Sequence, residues 1–166
     1  MPAGESEDEV AQLYDRFGAA LYRYALMILG RHDAAEDAVQ QVFLAVIRGG
    51  AARLVEPEHY LRRAVRNACY STLRSQAASL EAAGDPDRPL LEPRADFIAP
   101  SPEDRLALET AIGRLPPEQR EVLHLHSFAG LTFREIADLT GDPANTIASR
   151  YRYALEKLRA LLASQQ

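Results

Sequence analysis

The chain of 166 residues is 47% hydrophobic and 26% charged, the balance of a folded soluble protein, with length for one ordinary domain or two small ones. No apolar run approaches the roughly 20 residues of a membrane span, and the opening MPAGESEDEV is acidic where a secretory leader is basic then apolar, so the expected setting is cytoplasmic with no membrane insertion. A net charge of -5 speaks against a general nucleic-acid binder, and the single cysteine, Cys69, excludes an internal disulfide and reads as a small buried hydrophobe.

Residues 1–9 read as an acidic N-terminal tail. Leu13, Phe17, Leu21, Tyr24 and Ile28 then recur at helical spacing, and Gly30 stops that helix. Asp33 with Glu36 makes a capping-box-like start to a second helix, which buries Val39, Val42, Phe43 and Val46 and ends at Gly49 and Gly50. A third helix starts near Pro57 and buries Leu61, Val65, Ala68 and Thr72.

From Gln76 to Pro102 the pattern changes, with five prolines and five acidic residues against two arginines and no sustained amphipathic period. Residues 77–102 are therefore expected to be a flexible, acidic, proline-rich linker. The excess of negative charge lies mostly there, so the flanking segments are nearly balanced.

After the linker, Pro102 begins a helix with Leu106, Leu108 and Ile112 as its apolar residues. Pro116 and Pro117 open another, with Val122, Leu123 and Leu125, and two more follow Gly130 and Gly141. No alternating strand and no internal repeat interrupts this. The expected fold class is all-α: two small helical bundles, residues 10–76 and 103–164, joined by the linker.

Residues 133–152 fit a helix-turn-helix. The template needs a small residue where the helices pack, one able to take the turn, and an apolar anchor in the second helix, and Ala137, Gly141 and Ile147 stand in register. On a helical wheel Ile147, Tyr151, Ala154, Leu155, Leu158, Leu161 and Leu162 form one stripe, with Asn145, Ser149, Arg152 and Glu156 opposite. Outward hydrogen-bonding side chains near the start of a second helix suit base edges in a major groove. Thr146 and the helix start suit a phosphate, and Arg150 on the flank suits the backbone. A plain amphipathic helix would need neither the turn nor the anchor.

Two faces of the first bundle carry further signals. The helix from Pro57 holds His59, Arg62, Arg63, Arg66 and Arg74 against Glu58 alone, with Arg63, Asn67, Tyr70 and Arg74 on one side. Cations interleaved with aromatics suit a single strand, whose backbone needs charge and whose bases need stacking partners, although read alone the face is equally a solvated basic surface. The helix from Asp33 to Arg48 exposes Asp37, Gln41, Leu44 and Arg48, with Gln40 beside them. A leucine among acidic and amide residues suits a protein partner, and isolated exposed leucines are also common.

LYDRFGAALYRYALMILGRHDAAEDAVQQVFLAV, HYLRRAVRNACYSTLR and LPPEQREVLHLHSFAGLTFREIADLTGDPANTIASRYRYALEKLRALL resemble, in that order, the two domains of extracytoplasmic-function (ECF) sigma factors, over about residues 10–75 and 103–162. The resemblance implies a bacterial RNA polymerase subunit that confers promoter specificity, with core RNA polymerase and promoter DNA as partners and an anti-sigma factor as a candidate third. By that likeness Asp37, Gln40, Gln41 and Leu44 fall in the polymerase-binding segment. The loop 49–59 with Arg63, Arg66, Asn67, Tyr70 and Arg74 faces the −10 element, and Asn145, Thr146, Ser149, Arg150 and Arg152 face the −35 duplex. Three positions depart from the family pattern: Ser71 stands for an acid, SQAAS replaces a basic run after Arg74, and Ala148 stands for a cation. Each lost cation removes one possible phosphate contact.

Other classes fit less of the chain. An autonomous helix-turn-helix regulator explains residues 103–162 and gives no reason for AEDAVQQVF or the basic helix. An adaptor that only sequesters a partner would account for the acidic linker. Enzymatic chemistry finds no phosphate loop and no GxSxG stretch, and the four histidines lack metal-ligand spacing, so no cofactor and no metal are expected. Those histidines read as surface or packing residues.

Overall fold

The computed structural model describes residues 3–49, 54–79 and 101–164, which form seven helices and no strand. In chain order these are α1 (Ala3–Leu29), α2 (His32–Gly49), α3 (Pro57–Ser79), α4 (Pro102–Gly113), α5 (Pro117–Ser127), α6 (Phe133–Thr140) and α7 (Ala144–Ala163). The chain divides into two compact units, Met1–Gly84 and Asp85–Gln166. Most of the expected linker lies outside the described residues.

In the first unit each of α1, α2 and α3 packs on the other two. Phe17, Leu21, Tyr24 and Ile28 of α1 are buried as their spacing predicts, while the last turns of α1 are buried all round, with Ala25, Leu26, Met27 and Leu29 joining them. Each aliphatic side chain so enclosed contributes about 1.5–3 kcal/mol relative to exposure. Gly30 ends α1 with φ 70, and its N–H donates to the Leu26 carbonyl at 2.7 Å. The Tyr22 hydroxyl and His32 Nδ1 share a hydrogen bond across the following corner.

Some expectations are corrected here. The stretch expected as an acidic tail belongs to α1 from Ala3 onward. Asp33 does not cap α2. The Arg31 carbonyl already accepts from the Ala35 N–H at 3.0 Å, so the helix begins before Asp33, which sits in its first turn. The buried stripe of α3 is Leu61, Val65 and Cys69, and Ala68 and Thr72 are only half-buried. The reason is spacing: positions four apart stack on one face, and Cys69 continues that row. Cys69 is thus the small buried hydrophobe expected.

In the second unit α7 is the hub, touching α4, α5 and α6. Ser101 caps α4 by accepting from the Asp104 N–H at 3.1 Å. Thr132 caps α6, its hydroxyl accepting from the Glu135 N–H and donating to the Glu135 carboxylate, each at 3.1 Å. Ile112, Leu115, Val122, Leu123, Leu125, Ile136, Leu139, Ile147, Ala154 and Leu158 form the core. Leu106, one of the apolar residues that mark α4 in the sequence, is 65% exposed. The buried side of α4 is instead Glu109, Ala111 and Ile112, with Arg105 Nε donating to Glu109 Oε1 at 3.1 Å.

Candidate nucleic-acid and partner interfaces

The second unit presents α7 through a fixed turn. Gly141 caps α6 in the left-handed region, φ 82 and ψ 2, and donates to the Ala137 carbonyl at 2.8 Å. The Asp142 N–H then donates to Thr140 Oγ1 at 3.2 Å, and Pro143 leads into Ala144. Ile147 anchors the start of α7 with 0% exposure. No side chain caps α7, so its first-turn N–H groups are left for an outside acceptor.

Around that start, Asn145 and Arg152 are exposed, and Thr146, Ser149 and Arg150 are half-buried. Arg152 lies over the Tyr153 ring at 5.1 Å, with a loose approach of 3.9 Å to Glu156. Arg150 is engaged differently. Its Nη1 donates to Asp142 Oδ2 at 2.7 Å, across the turn. Sequence reasoning passes over Asp142, because a partner eight residues away across a turn obeys no helical spacing.

In the first unit the five candidate residues of α3 separate into two groups. Arg63, Asn67 and Arg74 are exposed, whereas Arg66 and Tyr70 are half-buried, with the Arg66 guanidinium 4.5 Å from the Tyr70 ring centre. That contact holds the ring by cation–π attraction. Arg62 is tied to Glu58 at 2.9 Å. Tyr60 and Val55 are also exposed beside this end of α3, and residues 50–53 of the loop lie outside the described residues.

On α2, Asp37, Gln40, Gln41 and Leu44 are all exposed on one side, with Leu44 at 50%. Ile47, which sequence reasoning missed, is 44% exposed and stands three residues after Leu44, so the two make one apolar strip among the polar groups. Below this face, Asp33 has its carboxyl held under its ordinary value by the Ala34 backbone N–H first and the Arg31 guanidinium next.

His32 and His124 are buried, His124 stacks on Phe128, and His126 stacks on Phe133, so these three serve packing. Among the described residues no group of His, Cys, Asp and Glu is placed to hold a metal, and no helix is long and apolar enough to cross a membrane.

Residues 13–79 match the Sigma-70 region 2 family and residues 105–158 the Sigma-70, region 4 family. The ECF RNA polymerase sigma factor SigL of Mycobacterium tuberculosis is 29% identical over 160 residues, which cover 90% of this chain and 86% of SigL. SigM, an ECF RNA polymerase sigma factor of the same organism, is 31% identical over 155 residues, covering 91% of this chain and 76% of SigM. The chain belongs to the ECF sigma factor family. Among solved structures, the sigma factor RpoE from Bartonella quintana, crystallised with the anti-sigma factor NepR, shares the fold. Its TM-score is 0.72 at 22% identity, covering 94% of this chain and 98% of that one.

This sigma factor acts in transcription initiation, with core RNA polymerase and promoter DNA as its partners. An autonomous regulator would need only the second unit, whereas the matches to SigL and SigM run through both.

Proposed function

We infer that this sigma factor divides its work among three surfaces and catalyses nothing itself. The outer face of α2, with Asp37, Gln40, Gln41 and Leu44 and with Ile47 beside them, docks on core polymerase. On α3, Arg63, Arg66, Asn67, Tyr70 and Arg74 hold the unstacked strand of the −10 element. Residues Asn145, Thr146, Ser149, Arg150 and Arg152 of α7 contact the −35 duplex. Residues 10–76 and 103–164 are the working domains in this reading, and the setting is cytoplasmic.

The observation that carries the reading is the sidedness of α7. Ile147 is fully buried while Asn145 and Arg152, at the same end, face solvent, beside first-turn N–H groups that no side chain caps. A helix so arranged offers hydrogen-bond donors to base edges and its positive end to a phosphate. The net charge of -5 fits a subunit whose grip on DNA is supplied mostly by the polymerase, since joining weak modules on one body raises their effective concentration. An anti-sigma factor is proposed as a further partner on the family resemblance alone.

Run-off transcription on a promoter library, with core polymerase and the full chain, tests the reading. RNA should start at sites that core enzyme alone ignores. Asn145→Ala should change the preferred −35 sequence, and Arg74→Ala should slow opening without changing that preference. Identical −35 preferences for Asn145→Ala and the unaltered chain would remove α7 from duplex reading.

A further inference from the structure

The α6–α7 turn holds a carboxylate where a DNA phosphate would be expected. Two attractions at the start of α7 favour an anion: the uncapped first turn, and the Arg150 guanidinium on its flank. Asp142 stands two residues ahead of Ala144, and its Oδ2 lies 2.7 Å from Arg150 Nη1. The acid is set there by three local features, namely the left-handed Gly141, the bond from its own N–H to the Thr140 side-chain Oγ1, and Pro143 behind it. Neither partner is free in solvent, with side-chain exposures of 36% for Asp142 and 26% for Arg150.

We propose that Asp142 occupies the place of a promoter phosphate on Arg150, so that −35 binding exchanges one ion pair for another. Asp142 is a positioning residue in this scheme and touches no base. The proposal rests on the reading of α7 as the duplex-contacting helix. Two physical consequences follow. A phosphate that takes the Nη1 position of Arg150 displaces the carboxylate bound there, which lowers affinity for every sequence equally, because backbone contacts carry no sequence information. The exchange also uncovers a negative charge beside the DNA, so the contact releases less than a full counterion. An acidic residue at this turn thereby sets how strongly the sigma factor grips a −35 element without altering which element it prefers.

The test uses holoenzyme assembled from core polymerase and the full chain, with the promoter fragment best transcribed in the library as the probe. Promoter affinity is measured across a salt series for the unaltered chain, Asp142→Asn, Arg150→Ala and the double variant. Asp142→Asn is expected to tighten binding by about two- to fivefold and to steepen the salt slope by up to about 0.9. Arg150→Ala should weaken binding, and adding Asp142→Asn to it should change affinity less than about twofold. Asp142→Ser gives a second removal of the charge in case the amide disturbs the turn.

The outcomes separate the two levels of argument. If Arg150→Ala leaves affinity and slope unchanged, Arg150 is no phosphate contact, and the proposal falls together with that part of the α7 reading. If Arg150→Ala weakens binding but Asp142→Asn leaves it the same or weaker, the α7 reading stands and the exchange does not. Equal tightening by Asp142→Asn with and without Arg150 would show general charge repulsion, which also overturns the proposal.

Discussion

His126 stacks on Phe133 with ring centroids 4.4 Å apart, which joins the end of α5 to the start of α6. Tyr151 of α7 meets the same imidazole edge-on at 4.7 Å, and the His126 Nδ1–H donates to the Leu131 carbonyl at 2.8 Å. One side chain thus touches both helices of the helix-turn-helix and the loop before it. His126→Ala should lower stability by about 2 kcal/mol, through lost ring packing and an orphaned carbonyl. Chemical denaturation followed by helicity measures this, and a loss below about 0.5 kcal/mol would mean the ring holds nothing together.

At Gly141 the cost of substitution comes from the backbone alone. A Cβ there would meet nothing within 4 Å, but φ is 82, in the left-handed region. Gly141→Ala is expected to lose about 1–2 kcal/mol, and Gly141→Asn less, since asparagine tolerates that conformation better. Equal losses for the two in parallel denaturation curves would point to a cause other than φ.

Gly141, Gly30, Pro102 and Pro117 are legible in the sequence because each punctuates the chain locally, through a φ that other residues resist or a missing N–H. Ile147 is legible for a related reason, since it stands at a set distance from the turn. Leu106 is not. The apolar Ala107 and Leu108 follow it on other sides of the helix, and which side of α4 is covered depends on α7, nearly forty residues later in the chain. The same limit hides the Asp142–Arg150 pair and the ring cluster at His126, since partners brought together across turns follow no period. Ile47 was within reach, because it follows Leu44 at helical spacing on a face already marked by Gln40. The Thr132 cap of α6 was within reach too, as threonine three residues before glutamate is a local signal.

Asp33 gives a pH dependence of known sign. Its folded-state carboxyl is held below the ordinary value of 3.8, chiefly by the Ala34 N–H and then by Arg31. A lowered acid stabilises the fold above its unfolded value, and the contribution fades as pH falls through the lowered one. The stability difference between the unaltered chain and Asp33→Asn should therefore be level at neutral pH and close in the window below 3.8. It should be small, because the carboxyl is exposed and solvent screens it. Acid titration of both proteins by helicity checks this, and a difference that widens toward acid would reverse the sign.

Leu44 separates binding from folding. Half its surface faces solvent, as does nearly half of Ile47, so little core packing depends on either. Leu44→Asp should change stability by no more than about 0.5 kcal/mol, yet weaken capture of core polymerase by about tenfold or more if this strip is buried in the complex. Competition with unaltered sigma for limiting core enzyme gives the ratio. Undiminished capture by Leu44→Asp would move the docking surface off α2.

Tyr70 bears on promoter opening. Arg66 lies 4.5 Å from its ring centre, so one face of the ring is occupied by a cation while the side chain remains half-exposed. A ring steadied this way can accept a base without first losing its own freedom, and base stacking on an aromatic contributes about 1–3 kcal/mol. Tyr70→Ala should therefore shorten the lifetime of open complexes by about five- to 150-fold, the rate equivalent of that energy. Tyr70→Phe keeps the ring and the cation, so it should stay close to the unaltered chain. Lifetimes measured by challenge with heparin after opening, on holoenzymes matched for core affinity, distinguish stacking from the hydroxyl: equal losses for Ala and Phe would assign the effect to the oxygen and leave Arg66 with no base to support.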